Sequence, residues 1–419
     1  MPGIDDAEPL LEVRELTDDE IPAAVELVAL GFSSDPDSEE TRNERPLWSM
    51  MTSFGAFLGS RLVGHSGGFD FAMTVPGAST RVLGVTNVGV SALARRRGVA
   101  TELMRAQLHA AHLEGYVAAA LWATEPRIYG RFGYGNAADR SSLTVLRGRA
   151  WLRDVPGVDE VTLHRVARAD APALVRQVQN AAATGRPGLF PWDDVWTAHQ
   201  LDDSPSRREG AGPLQVVRAE RGGRTTGYAI WNNKADWGSA GYPDGTVQVR
   251  DVRTFDPASH AAIWRMLLDY DLMGRTSAGV PVDDVLLSLL DERRSAKVTT
   301  ADALHLRLID VADALSARRY RSDVDVVIEV RDEFLPWNAG LWHLTGNRTG
   351  AECVSTGLAG GETAGFAIDV RDLGAVYLGG GSLLSLQRAG LVTELTPGAV
   401  ATASRAFSWD VAPFSDMIF

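Results

Sequence analysis

One junction limits what this chain can fold into more than any other segment. A β-branched run at 81–90 leads into Arg95-Arg96-Arg97-Gly98-Val99-Ala100. A helical pattern then covers 98–114, with an apolar stripe at Ala100, Leu103, Met104, Leu108 and Ala111. The first N–H groups of a helix lack intrahelical partners and lie at the positive end of its dipole, so they attract anions. Glycine and alanine at that point leave the backbone open to a ligand that larger side chains would keep away. Three arginines before a glycine also suit a solvated helix start. The strand before them and the amphipathic helix after them favour an anion seat in an α+β unit.

A second piece follows a strand expected at 118–122: Ile128-Tyr129-Gly130-Arg131-Phe132-Gly133-Tyr134-Gly135. In this order the two pieces resemble the GNAT superfamily of N-acetyltransferases, whose cofactor motif reads Arg/Gln-x-x-Gly-x-Gly/Ala. The resemblance implies acetyl-CoA as cosubstrate. Its pyrophosphate would be cradled by the backbone of Arg95, Arg96, Arg97, Gly98, Val99 and Ala100. Its pantetheine arm would lie along Val88, Gly89 and Val90 like an added strand. Tyr129 falls where the family has a general acid. A phenol of pKa about 10 transfers its proton fully to a thiolate of about 8.5 only uphill, but its hydrogen bond to the departing sulfur is well matched. A packing tyrosine in a glycine-rich turn is the alternative for Tyr129.

The pattern at the N-terminus recurs. A strand at 11–16, the capping box Thr17-x-x-Glu20 and a helix at 18–30 are echoed by a strand at 161–166 and a helix from 170, with Pro22 matching Pro172. Strands at 228–231 and 247–252 and a helix at 258–272 continue the second copy. Opposite the arginine triplet it has Pro257-Ala258-Ser259-His260-Ala261-Ala262, which contains no glycine. A proline suits the first turn of a helix without any anion there. From about 301 the pattern changes to further strands at 304–309, 324–330, 341–344 and 365–370, a helix at 311–317, and glycine-rich turns at 357–361 and 379–381. The expected division is a catalytic unit at 1–152, a cofactor-free copy at 153–298 and a third unit at 299–419.

Two GNAT-like units followed by a third α+β domain resemble the enhanced intracellular survival (Eis) family. The implied fold is α+β: two tandem GNAT-like domains, each a mixed sheet flanked by helices, plus a C-terminal sterol-carrier-protein-like domain. The resemblance also implies a hexamer, and acetylation of aminoglycoside or lysine-type amines with the terminal carboxylate as general base. The chain ends Pro413-Phe414-Ser415-Asp416-Met417-Ile418-Phe419, apolar where free tails are ordinarily polar. Docking of Phe419 for stability alone is the other reading. Deprotonating a lysine-like ammonium at pH 7 costs about 4.6 kcal/mol, which a buried carboxylate beside it lowers by taking the proton as the bond forms. The substrate pocket is expected at Phe32, Ser34, Trp48 and Asn87. Ile418 and Ser34 stand where family members carry acids, with Asp35, Asp37 and Asp416 as stand-ins.

The 419 residues carry a formal net charge of −13, which speaks against nucleic acid as a partner and suits a cationic small molecule or simple solubility. No apolar run is long enough for a membrane helix, and residues 1–8 lack the basic start and apolar stretch of a secretory signal. Cytoplasmic residence is therefore expected. Cys353 is the only cysteine and has no nucleophile signature. His109 and His112 lack a completing acid, so no metal is expected, and a solvated helix face is the reading for both. Two alternatives stay open: acetylation of proteins or peptides at lysine without action on antibiotics, and lipid binding by the third unit, where Trp337 and Trp342 accompany apolar strands.

Overall fold

The computed structural model describes residues 10–356 and 363–419, so residues 1–8 and the turn expected at 357–361 lie outside the described residues. Two sheets form. The larger contains β1 (Leu11–Glu15), β2 (Thr52–Leu58), β3 (Arg61–Val75), β4 (Ala78–Val90), β5 (Ala118–Trp122), β6 (Gly135–Leu146), β7 (Thr162–Arg165), β8 (Gln215–Arg221), β9 (Arg224–Lys234), β10 (Gly245–Thr254), β11 (Met273–Val280) and β12 (Ala296–Leu308). The smaller contains β13 (Val324–Arg331), β14 (Gly340–Gly346), β15 (Ala351–Ser355), β16 (Phe366–Asp369) and β17 (Val392–Glu394).

The large sheet is a duplicated unit. β1 to β4 pair antiparallel in sequence and β4 pairs parallel with β5. β7 to β10 repeat that scheme, and β10 pairs parallel with β11. The sixth strands are exchanged: β6 pairs with β11 of the second copy, and β12 pairs with β5 of the first. Both exchanged strands also pair with each other, giving the order β1-β2-β3-β4-β5-β12-β6-β11-β10-β9-β8-β7. The strand expected at 304–309 as the start of the third unit is thus part of β12, in the central sheet, and the division drawn after 298 falls inside it. Alternation marks a segment as extended, but its partner strand is set by contacts far along the chain.

The helices that position the site are α1 (Ile21–Gly31), α2 (Glu39–Asn43), α3 (Arg45–Trp48), α4 (Val99–Leu113), α5 (Pro126–Tyr129), α6 (Ala171–Ala183), α7 (Asp194–Gln200), α8 (Pro205–Arg208) and α9 (Pro257–Leu268). α1 begins three residues later than the capping box suggests. Thr17 does donate its N–H to Glu20 Oε2 (3.0 Å), but Glu20 also takes both Nη groups of Arg14 and so closes a turn ahead of the helix. α9 stops at Leu268, and residues 269–272 of the expected helix form the turn that leads to β11. One hydrophobic cluster runs through Phe69 and Phe71, Phe190 and Trp196, and Phe366, Phe407 and Met417, so all three units share a core. No helix among the described residues is long and apolar enough to cross a membrane.

Candidate active site

The site begins where two parallel strands separate. β4 and β5 are paired only at Val82↔Ala118, Leu83↔Ala119 and Gly84↔Ala120, although β4 runs on to Val90 and β5 to Trp122. A side chain on Gly84 would strike the Phe71 ring at 2.3 Å and crowd Phe419, which requires glycine at the fork. Just beyond, β4 carries a bulge against β3 between His65↔Gly89 and Gly67↔Thr86, with Asn87 at φ 51°. His65 is fully buried, lies 5.0 Å from the Trp48 ring, and has Nδ1 2.8 Å from the Asn87 carbonyl. A carbonyl only accepts, so Nδ1 carries the proton and Nε2 is a buried acceptor without a partner among the described residues.

Burial pushes the His65 pKa down to about 4. The unfolded chain takes up this proton near pH 6.5 and the folded one only near 4, so the neutral ring stabilises the fold at higher pH and that contribution is lost as pH falls through this window. Replacing His65 with Phe should make stability less acid-sensitive: in urea titrations the wild type should lose roughly 3 kcal/mol more than His65→Phe between pH 7 and pH 4. Parallel losses would show that His65 is not held neutral.

A cavity of about 580 Å³ opens at the fork. Phe32, Ser34, Trp48, Asn87, Val88, Tyr129 and Phe419 all line it. Trp48 is buried, whereas Phe32 is 48% exposed at the rim. Glu40 and Glu44 from the α2–α3 segment, Phe69, Trp122, and Trp196, His199 and Arg207 from the second copy also line the cavity, and no sequence motif marks them. The expected acids are elsewhere. Asp35 and Asp37 are exposed and outside the lining, and Asp416 is bonded to Arg253 and Gln179. Burial raises the Glu44 pKa and the nearby Arg207 charge opposes this, while burial, then Arg207, pushes His199 down to about 4. His199 is thus neutral near pH 7, and its Nε2 lies 3.2 Å from Arg207 Nη1.

Gly89, Val90 and Arg95 to Ala100 lie outside the cavity lining, along the end of β4 and the turn into α4. Arg95, Arg96, Arg97 and Gly98 are exposed, while Val99 is buried and anchors the helix. Gly98 is the N-cap at φ 79° with no side-chain cap, and a Cβ there would meet nothing within 4 Å. No side chain among the described residues caps the start of α4, and the Thr101 N–H turns to the Gly98 carbonyl at 2.9 Å. In the second copy the equivalent helix end is closed by the protein itself: Asp256 caps α9, accepting from Ser259 N (3.0 Å) and Ser259 Oγ (2.8 Å).

Tyr129 ends the short helix α5 with its ring 5.9 Å from Tyr134, edge on. Burial, and then Glu125, raise its pKa, so it keeps its proton and can donate a hydrogen bond. The Phe419 ring is seated 5.0 Å from Phe71 and 5.6 Å from Phe190, which draws the C-terminus into the fork. His112 stacks on Trp337 at 4.5 Å and His109 meets the same ring edge on, so this helix face packs against the third unit and is not simply solvated. Among the described residues no cluster of histidine, cysteine and acidic groups is arranged to hold a metal ion. Trp337 and Trp342 donate their indole N–H to Ile309 O (2.9 Å) and Asn338 O (2.8 Å), both structural contacts. Cys353 is buried, which pushes its thiol up to about 12 and keeps it protonated.

Comparison with known proteins agrees with this architecture. Residues 12–137 and 188–308 each match a GNAT acetyltransferase domain, a type that uses acetyl-CoA, and residues 311–416 match a sterol carrier protein domain. An uncharacterized N-acetyltransferase of Streptomyces avermitilis is 45% identical over 90% of this chain and 92% of its own length. The N-acetyltransferase Eis of Mycobacterium bovis is 30% identical over 94% of this chain and 96% of its own. The crystal structure of Eis1 from Mycobacterium abscessus superposes with a TM-score of 0.82 at 28% identity, covering 98% of this chain and all of that one. A GCN5-related N-acetyltransferase from Anabaena variabilis shares the fold at TM-score 0.84 and 17% identity, covering 98% of this chain and 100% of its own. With its duplicated acetyltransferase sheet, its third domain and its tail in the fork, the chain belongs to the Eis-type N-acetyltransferases of the GNAT superfamily.

Proposed function

We propose that this enzyme transfers the acetyl group of acetyl-CoA directly to a primary amine held in the fork cavity. The observation that carries the reading is the meeting of Tyr129 and the chain's own terminal residue Phe419 around one cavity at the parted β4 and β5. The pyrophosphate sits on the uncapped start of α4, and the pantetheine arm follows the free edge of β4 at Val88 to Val90. The amine lone pair attacks the thioester carbon, whose oxygen is polarised by a backbone N–H near Val90. The Phe419 carboxylate takes the proton released by the amine. As the C–S bond breaks, Tyr129 hydrogen-bonds the departing sulfur, which leaves as the CoA thiolate and takes up a proton from solvent, while the Phe419 carboxyl returns its proton to solvent. Tyr129→Phe should lower kcat by about 10-fold with acetyl-CoA KM unchanged. Wild-type turnover in that variant would remove the phenol from the mechanism.

The walls indicate which amines fit. Trp48, Phe69, Trp122 and Trp196 supply apolar area, while Glu40 and Glu44 are offset in part by Arg207. Two carboxylates beside one guanidinium compensate a single ammonium better than the several charges of an aminoglycoside. A lysine-type amine with apolar flanks should therefore have a higher kcat/KM than an aminoglycoside in a thiol-release assay over an amine panel. Preference for the aminoglycosides would contradict this charge balance. A homo-hexamer and a cytoplasmic location belong to the same reading, and light scattering of the purified protein tests the first.

A further inference from the structure

The second copy has lost its cofactor seat, yet its own fork is not empty. β10 and β11 are paired as far as Val249↔Ala278, and β10 is irregular against β9 between Val249 and Asp251, the counterpart of the bulge at Asn87. At this fork lies a buried polar cluster. Arg253 Nη1 is 2.7 Å from Asp251 Oδ1, and its Nε donates to Gln179 Oε1 at 2.9 Å. Tyr228 donates to Asp251 Oδ2 at 2.5 Å. Arg140, from the exchanged strand β6, packs on Gly279 of β11. The remaining partner comes from the C-terminal tail: Asp416 Oδ2 pairs with Arg253 Nη2 and accepts from Gln179 Nε2 at 3.3 Å. The Asp416 side chain is only 9% exposed.

We infer that Arg253 and Gln179 of the second copy are positioning residues for the reaction in the first, gripping Asp416 so that the terminal carboxylate is delivered to the fork of β4 and β5. The inference rests on the terminal-base reading above. Phe419 is three residues from Asp416, and chain geometry confines it to within about 10 Å of that anchor. On either side the tail has little slack: Phe414 N–H donates to Pro187 O at 2.9 Å, and Met417 is fully buried. The polar cluster thus sets the register and the aromatic contacts of Phe419 set the end point. This gives the degenerate copy a role in the chemistry without a cofactor of its own. The Asp416 side of the pair can be removed without stranding a charge, because Arg253 keeps Asp251.

The test compares full-length Asp416→Ala and Asp416→Asn with a form carrying one glycine after Phe419. Asp416→Ala should lose about 10–30-fold in kcat with acetyl-CoA KM unchanged, and Asp416→Asn should lose less. Carboxypeptidase should remove Phe419 from Asp416→Ala faster than from the wild type. Wild-type kcat in Asp416→Ala beside an inactive glycine-extended form would overturn the grip while leaving the terminal base standing. A loss of kcat matched by loss of folded protein, with the tail still protected, would also overturn it, as a purely structural effect. Full activity of the glycine-extended form would instead refute the terminal-base reading, and the positioning role with it.

Discussion

One glycine appended to Phe419 lowers kcat by about 10²–10⁴-fold, the range of a lost general base, while acetyl-CoA affinity and melting temperature stay near those of the wild type. The extra residue moves the free carboxylate beyond the fork and puts a neutral amide in its place. The ring contacts that dock the tail, Phe71 and Phe190 on Phe419, survive the extension. A docked tail without a catalytic role would tolerate this change. Steady-state kinetics with acetyl-CoA and the best amine of the panel decide between the two, and wild-type turnover would leave Phe419 as a packing residue only.

Gly98→Asp should raise the dissociation constant of CoA by about 10²-fold, since it adds a carboxylate at the seat proposed for the diphosphate. Aspartate is among the few residues that accept the left-handed conformation found there, and a Cβ at this position meets no neighbour within 4 Å among the described residues, so the fold should persist. The change copies onto α4 what Asp256 already does at α9, where a side-chain carboxylate occupies the helix end. Unaltered CoA affinity in a folded Gly98→Asp protein would move the pyrophosphate elsewhere.

Local features of the site were legible in the sequence, and features assembled across units were not. The turn from β4 to α4 could be read because strand, arginines, glycine and amphipathic helix are contiguous. Phe32, Trp48, Asn87 and Tyr129 could be placed because a family resemblance assigns them to one pocket. Trp196, His199 and Arg207 could not, since they reach the cavity from the second copy and carry no pattern of their own. The same holds for β12: its alternation marked a strand, while its place between β5 and β6 depends on an exchange between the two copies. Glu40 and Glu44 look in sequence like ordinary surface acids of a short helix. Only the packing of α2 and α3 beside the fork makes them the carboxylates of the cavity.

Calorimetric titration of CoA into the purified chain and into Gly98→Asp tests the proposed cofactor seat. One saturable site per chain in the wild type, strongly weakened in the variant, is the expected result. Two equal sites per chain, no heat in the wild type, or an affinity indifferent to Gly98→Asp would contradict a single cofactor seat at the start of α4.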